Sequence, residues 1–288
     1  TYKVWILNTI NLRVNADNAP LPFSARASLS LGTVTILLGV IYAGTVLLHL
    51  SGTAVNIRNL SLSAAGLAVW FALWFGLETR SPWVRRNNLL FESISLWLLV
   101  FFVSIQVASW FGALSTPVGN SFNLLAEAFL HGNISIANPL QTHDMTQFNG
   151  KWYVPFPPFP AVIILPFVAL LGISQFNTTL FSIALAALTA VVMYLVFEQM
   201  VRNGWIELDK RGRVWLTLLF AFGTAYWWLS LKSAAPYFSQ VVTTFMISLA
   251  FLFSLRRSPP WLVGICLAGA MLCRPNTITL WPGLAAIA

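Results

Sequence analysis

Read along its length, the chain alternates long apolar runs with short polar punctuation. Apolar stretches occupy about 31–50, 60–77, 89–111, 176–197, 214–231, 236–255 and 261 onward, each near the ~20 residues a helix needs to cross a bilayer. A shorter run at 158–172 carries Pro158, Pro160 and Pro166. It reads either as a span or as a half-inserted helix buried against protein. The first thirty residues are mixed, with a turn over Asn18, Ala19, Pro20, Leu21 and Pro22, and lie along the membrane surface or lead into it. The pattern predicts an all-α polytopic membrane protein with about seven or eight transmembrane helices. One long polar interruption, residues 112–157, separates the early spans from the late ones. Within it, Phe122, Leu125, Ala126 and Phe129 recur at helical spacing, which predicts a short amphipathic helix on the membrane surface over 121–131.

Composition agrees with this pattern. Of 288 residues, 58% are apolar and 8% charged, against roughly 25% charged in a soluble domain. So few charged side chains cannot cover that much apolar surface in water, whereas lipid needs no such cover. The chain is expected to form a single membrane domain over 1–288, with two spans in an N-terminal region 1–88 and the remaining spans in a core 89–288. Thr1 at the start and an apolar run around Ala288 are what a piece of a longer protein would show.

The net charge of +8 is spread over short connecting segments instead of one patch, which points to orientation in a bilayer and away from nucleic acid. Arg80, Arg85 and Arg86 mark a cytoplasmic loop. Segment 112–157, with Lys151 as its only basic residue, is then external. The Arg202–Arg213 loop depends on run 158–172. A full span there puts that loop on the side of 112–157, and a re-entrant helix puts it opposite. Cys266 and Cys273 lack metal-ligand spacing and are expected to be packing residues. The many Trp residues near span ends are headgroup-level anchors, and Trp227–Trp228 with nearby Lys232 suit a lipid headgroup.

The candidate chemistry collects in and near the long loop. Glu127 lies on the polar side of the amphipathic helix, and His131 and Gly132 end it. His143 and Asp144 follow, then an Asn149–Gly150 tight turn, Lys151, Trp152 and Tyr153, and a proline-rich run FPPFP at 156–160 that fixes the loop against the next helix. A carboxylate can deprotonate a hydroxyl, and a cation can stabilise a departing phosphate, so these residue types suit group transfer at a membrane surface. Arg274 ends an apolar run in the order Leu272, Cys273, Arg274, Pro275, Asn276, and a charge at such depth faces a partner or a polar cavity. The candidate catalytic residues are Asp144 and Glu127. Those for substrate or phosphate are His143, Lys151, Tyr153, Lys232, Arg274 and Asn276. His143 and Asp144 are also the two groups that could begin a divalent-cation site, which would need further ligands.

These segments resemble the bacterial integral-membrane glycosyltransferases of the GT-C superfamily, related to the dolichyl-phosphate-mannose protein mannosyltransferases and the aminoarabinose transferases. The similar pieces, in order, are LAEAFLHG at 125–132, HD at 143–144, NGKWYVPFPPFPAVIILPF at 149–167, FGTAYWWLSLK at 222–232 and LAGAMLCRPN at 267–276, within roughly residues 90–288. The resemblance implies a GT-C-like bundle in a bacterial inner membrane and a polyprenyl-phosphate-linked sugar donor. The sugar would go to a lipid, glycan or protein acceptor at the external face. In one respect the sequence departs from that family. Where an acidic residue, often an Asp-Glu pair, usually opens the first external loop, this chain reads STPVGNSFN at 115–123, with Val118, Gly119 and the non-basic Asn120. Either Glu127 or Asp144 then supplies the base, or the protein is a non-catalytic subunit of the same fold that scaffolds a complex or binds lipid. The extra N-terminal spans suit docking of other subunits. A transporter ranks lower because no inverted repeat is visible.

Overall fold

The structure, a computed structural model, describes residues 87–114, 120–136, 139, 142, 144–232 and 234–287. The expected spans at 31–50 and 60–77, the Arg80–Arg86 cluster, residues Val118 and Gly119, and His143 lie outside the described residues. The elements in chain order are α1 (Asn88–Trp110), α2 (Ser121–Leu130), β1 (Thr146–Phe148), β2 (Lys151–Tyr153), α3 (Phe159–Leu171), α4 (Thr178–Arg202), α5 (Lys210–Gly223), α6 (Ala225–Ser230), α7 (Ala235–Leu255) and α8 (Pro260–Met271), then a 3-10 helix (Pro275–Leu280) and α9 (Trp281–Ile287).

Three of the described helices, α1, α4 and α7, are long and apolar enough to cross a membrane. They hold 23, 25 and 21 residues, so at ~1.5 Å per residue each matches a hydrocarbon layer of ~30 Å. Helix α4 is central, between α1 and α7, and α7 in turn packs on α8. Small buried side chains on α4, among them Ala186, Ala187 and Ala190, allow that close approach. Interhelical hydrogen bonds add to it. Trp97 Nε1 donates to the Ala184 carbonyl at 3.2 Å, and the buried Tyr226 hydroxyl donates to Thr189 Oγ1 at 2.8 Å.

The expected span at 214–231 is discontinuous. Helix α5 starts earlier, at Lys210, behind an Asp209 cap whose carboxylate accepts from the Gly212 amide at 2.8 Å. The helix then breaks at Thr224, whose backbone is extended (φ −115°, ψ 164°). The Thr224 hydroxyl donates to the Phe220 carbonyl at 2.8 Å and accepts from the Tyr226 amide at 3.3 Å, so one side chain serves both helix ends at the break.

The ends of the bundle are fixed by side-chain bonds. At one end, Asn177 caps α4 and donates through Nδ2 to the Leu114 carbonyl, just past α1, at 2.7 Å. Phe238 in the first turns of α7 meets Phe122 of α2 and Phe181 of α4. At the other end Asn203 donates to the Leu255 carbonyl at 2.9 Å, joining the last residues of α4 and α7. Helix α3 stays at the first of these ends. The Phe159 amide donates to the Leu272 carbonyl at 3.2 Å, Phe167 contacts Phe176 and Phe181, and the helix packs on α2. With 13 residues it reaches only ~20 Å. Both its termini therefore lie on one side of the bundle, and the Arg202–Lys210 connection falls at the opposite end from the β1–β2 hairpin.

The amphipathic helix occurs as expected, with a different partner for its apolar face. Phe122, Leu125 and Ala126 of α2 are buried in the main core with Ala161, Ile164 and Val168 of α3 and Phe238, Val241 and Val242 of α7. The apolar stripe meets protein because α3 lies beneath it. Cys266 and Cys273 are free, buried thiols of the same core.

Candidate functional site

The Arg274 end of the bundle gathers most of the residues singled out from sequence. Arg274 follows α8, where the chain leaves helical geometry (φ −144°, ψ 104°) before Pro275 starts the 3-10 turn. Its guanidinium is partly buried. One arm donates from Nη2 to the Pro236 carbonyl in the first turn of α7, at 2.9 Å. Its Nε is buried without a hydrogen-bond partner among the described residues. A buried donor left unpaired costs about 1–3 kcal/mol, so this guanidinium is suited to receive an acceptor group from a ligand. The segment is held from both sides, since Ser239 donates to the Cys273 carbonyl at 3.2 Å and Thr277 donates through Oγ1 to the Arg274 carbonyl at 2.9 Å. Asn276 is exposed on the same turn.

Lys232 lies four residues before Pro236, ahead of the same α7 N-terminus, and is half-buried with Nζ 4.4 Å from the Trp228 ring centroid. Trp227 next to it donates from Nε1 to Ser104 of α1 at 3.2 Å, which fixes this aromatic pair to the bundle. Helix dipole, Lys232 and Arg274 thus place positive potential around the start of α7.

Within the long loop the described residues form α2 and the β1–β2 hairpin. Asn149 (φ 47°) and Gly150 (φ 73°) both take left-handed backbone, which a tight two-residue hairpin turn requires and which Asn and Gly tolerate. Strand register pairs Phe148 with Lys151 and Thr146 with Tyr153, so Lys151 and Tyr153 share one face with exposed Phe148. Trp152 points the other way and bridges to buried Ile136. Asp144, two residues before β1, is half-buried and also left-handed (φ 61°). Glu127 lies half-buried on α2, and His131 is the exposed C-cap of that helix, followed by Gly132 at φ 70°. Asn120 is the α2 N-cap, its side chain accepting from the Phe122 amide at 2.9 Å. Asn120 therefore has a structural task as a helix cap.

The candidates form two groups. Lys232, Arg274 and Asn276 surround the α7 N-terminus and the end of α8. Asp144, Lys151 and Tyr153 belong to the hairpin, with Glu127 on α2. Among the described residues no ion pair joins Glu127, Lys151, Lys232 or Arg274 to one another. No group of three or more His, Cys, Asp or Glu side chains suited to a metal converges among the described residues.

A second polar cluster, at the opposite end, has no counterpart among the sequence candidates. Glu92, buried near the start of α1, accepts from Asn88 Nδ2 at 2.6 Å and from the fully buried Tyr194 hydroxyl of α4 at 2.6 Å, and pairs with Lys210 of α5. Close by on α4, Glu198 pairs with Arg213 at 2.9 Å and with Arg202 at 3.1 Å. Glu92 inside an apolar run is the signal in the sequence, since a carboxylate at that depth needs a partner. Its partners on other helices lie 102 and 118 residues away.

Comparison with family profiles, curated proteins and solved structures adds nothing to this geometry. None of them matches the chain.

Proposed function

We propose that this chain is a membrane-embedded glycosyltransferase. It takes a sugar from a polyprenyl-phosphate-linked donor and passes it to a lipid, glycan or protein acceptor at the external face of a bacterial inner membrane. The bundle is GT-C-like with about seven or eight spans, counting those in 1–88, and the hairpin end is external. The observation that carries the reading is Arg274, a partly buried guanidinium with one arm fixed on the α7 N-terminus and an unpaired donor. Such a group, with Lys232 nearby, suits an anionic phosphate attached to a lipid tail.

In this reading the donor arrives laterally from the bilayer and its phosphate meets Arg274 and Lys232, with Lys151 and Asn276 as further contacts. Glu127 or Asp144 takes the proton of the acceptor hydroxyl. The hydroxyl oxygen attacks the anomeric carbon, and polyprenyl phosphate leaves with the bonding electron pair, its charge stabilised by the cations. His143 and Tyr153 position substrate. A divalent cation at His143 and Asp144 would supply further charge stabilisation.

The test is sugar transfer in proteoliposomes from a panel of polyprenyl-phosphate sugars. Arg274→Ala is expected to weaken donor binding about tenfold or more, the equivalent of a lost charge-assisted hydrogen bond. Asp144→Ala or Glu127→Ala is expected to remove turnover while donor binding survives. Val118 and Gly119, standing where a carboxylate is usual in the family, favour a second reading as a non-catalytic subunit that binds lipid within a complex. Donor binding that depends on Arg274, with no transfer by the wild-type chain from any donor, would select that reading. Donor binding indifferent to Arg274 would sink both.

A further inference from the structure

Helix α3 carries no polar side chain in its 13 residues, FPAVIILPFVALL. Only Pro160, Ala161, Ile164 and Val168 are buried, on the face toward α2 and the core. Val162, Pro166, Phe167, Ala169, Leu170 and Leu171 are all exposed, Leu170 to 84%. These occupy about half of the helix circumference. A helix that is apolar all round belongs in a core or in lipid, and water against this face would be an exposed apolar patch of the kind soluble surfaces avoid.

Two constraints select the depth. Both termini of α3 are tied to one end of the bundle, Phe159 through its amide to the Leu272 carbonyl and Phe167 through its ring to Phe176 and Phe181. At ~20 Å the helix is also too short to cross ~30 Å of hydrocarbon. Leu180 of α4, next in sequence to the Phe181 that Phe167 meets, is exposed as well, on a helix fit to cross a membrane. We infer that α3 is a half-inserted helix whose Val162–Phe167–Leu170 face is covered by acyl chains of the single leaflet on the Arg274 side. The first residue of α3 is bonded two positions before Arg274, so α3 forms a lipid-facing wall beside that guanidinium. The placement itself does not depend on sugar transfer.

Site-directed fluorescence in lipid nanodiscs tests it. Leu170→Cys and Val162→Cys are made separately in the full chain with Cys266 and Cys273 replaced by Ala, and labelled with bimane. Asn149→Cys at the exposed hairpin tip is the aqueous reference. The expected result is strong quenching at 170 and 162 by lipids brominated near the headgroup and several-fold weaker quenching by aqueous iodide than at 149. Iodide quenching equal to the reference would overturn the inference. So would quenching by neither agent, which would mean that protein covers the face, or strongest quenching at 170 by chain-end bromines, which would mean that the helix reaches the midplane.

Discussion

At the scale of single residues, Glu92 shows how an apolar helix accommodates a buried carboxylate. Its carboxylate is buried, but Asn88, Tyr194 and Lys210 supply donors from three helices. The cluster is a polar network in which the buried Tyr194 hydroxyl depends on Glu92 as its acceptor, while Lys210 is half-exposed. Glu92→Ala leaves the buried Tyr194 hydroxyl without its acceptor, while the half-exposed Lys210 is solvated, and is expected to cost about 2 kcal/mol, read as a lower thermal midpoint in detergent. Tyr194→Phe, which removes only the hydroxyl, is expected to cost about 1 kcal/mol. Equal, negligible shifts for both would show that the cluster does not hold α1, α4 and α5 together. Arg274 is the opposite case, a cation only partly satisfied by its own chain, and for that reason it is the better candidate for a ligand contact.

At the scale of elements, several boundaries follow local rules, although the runs read from the sequence caught the Asn149–Gly150 turn and missed the start of α5 at Lys210. Asn177 and Asp209 precede α4 and α5 as side-chain caps, Asn149–Gly150 makes the hairpin turn, and Pro160 starts α3. Asn120 belongs with these. Asn120→Ala is expected to destabilise α2 by about 1 kcal/mol, while Asn120→Asp, which keeps the cap oxygen, leaves stability near wild type. Hydrogen exchange over residues 121–130 would show the difference. If Asn120→Ala instead abolished transfer with α2 still protected, the residue would have a role in the site beyond capping. Other elements were not legible. The break at Thr224 lies inside a continuous apolar run, and only the hydroxyl that serves both flanking helices makes the interruption tolerable. The apolar stripe of α2 was readable, but its partner was not, because a stripe specifies that it must be buried and not whether lipid or α3 buries it.

At the scale of the molecule, the path of α3 fixes which connections share an end of the bundle. Since both its ends are at the Arg274 end, the basic segment between Arg202 and Arg213 lies opposite the hairpin. That is the arrangement in which charge bias and chain path agree, with basic residues gathered away from the long loop. In right-side-out vesicles, a cysteine at Gly204 is expected to react with a membrane-impermeant maleimide only after permeabilisation, whereas one at Asn149 reacts at once. Reaction of both from the same side would mean that α3 crosses the membrane after all.

What the sequence determined alone is what depends on local chemistry and composition. These are helices fit to span a membrane, from the scarcity of charge and from the runs at 89–111, 176–197 and 236–255, which fold as 88–110, 178–202 and 235–255, the hairpin turn, and Arg274 as an out-of-place charge. The tertiary structure decided which groups meet. It joined Glu92 to Tyr194 and Lys210, set the Arg274 guanidinium on Pro236, and turned run 158–172 back to the end from which it started. Apolar periodicity says that a face must leave water. Which neighbour receives it is fixed by contacts between residues far apart in the chain, and no local pattern encodes those.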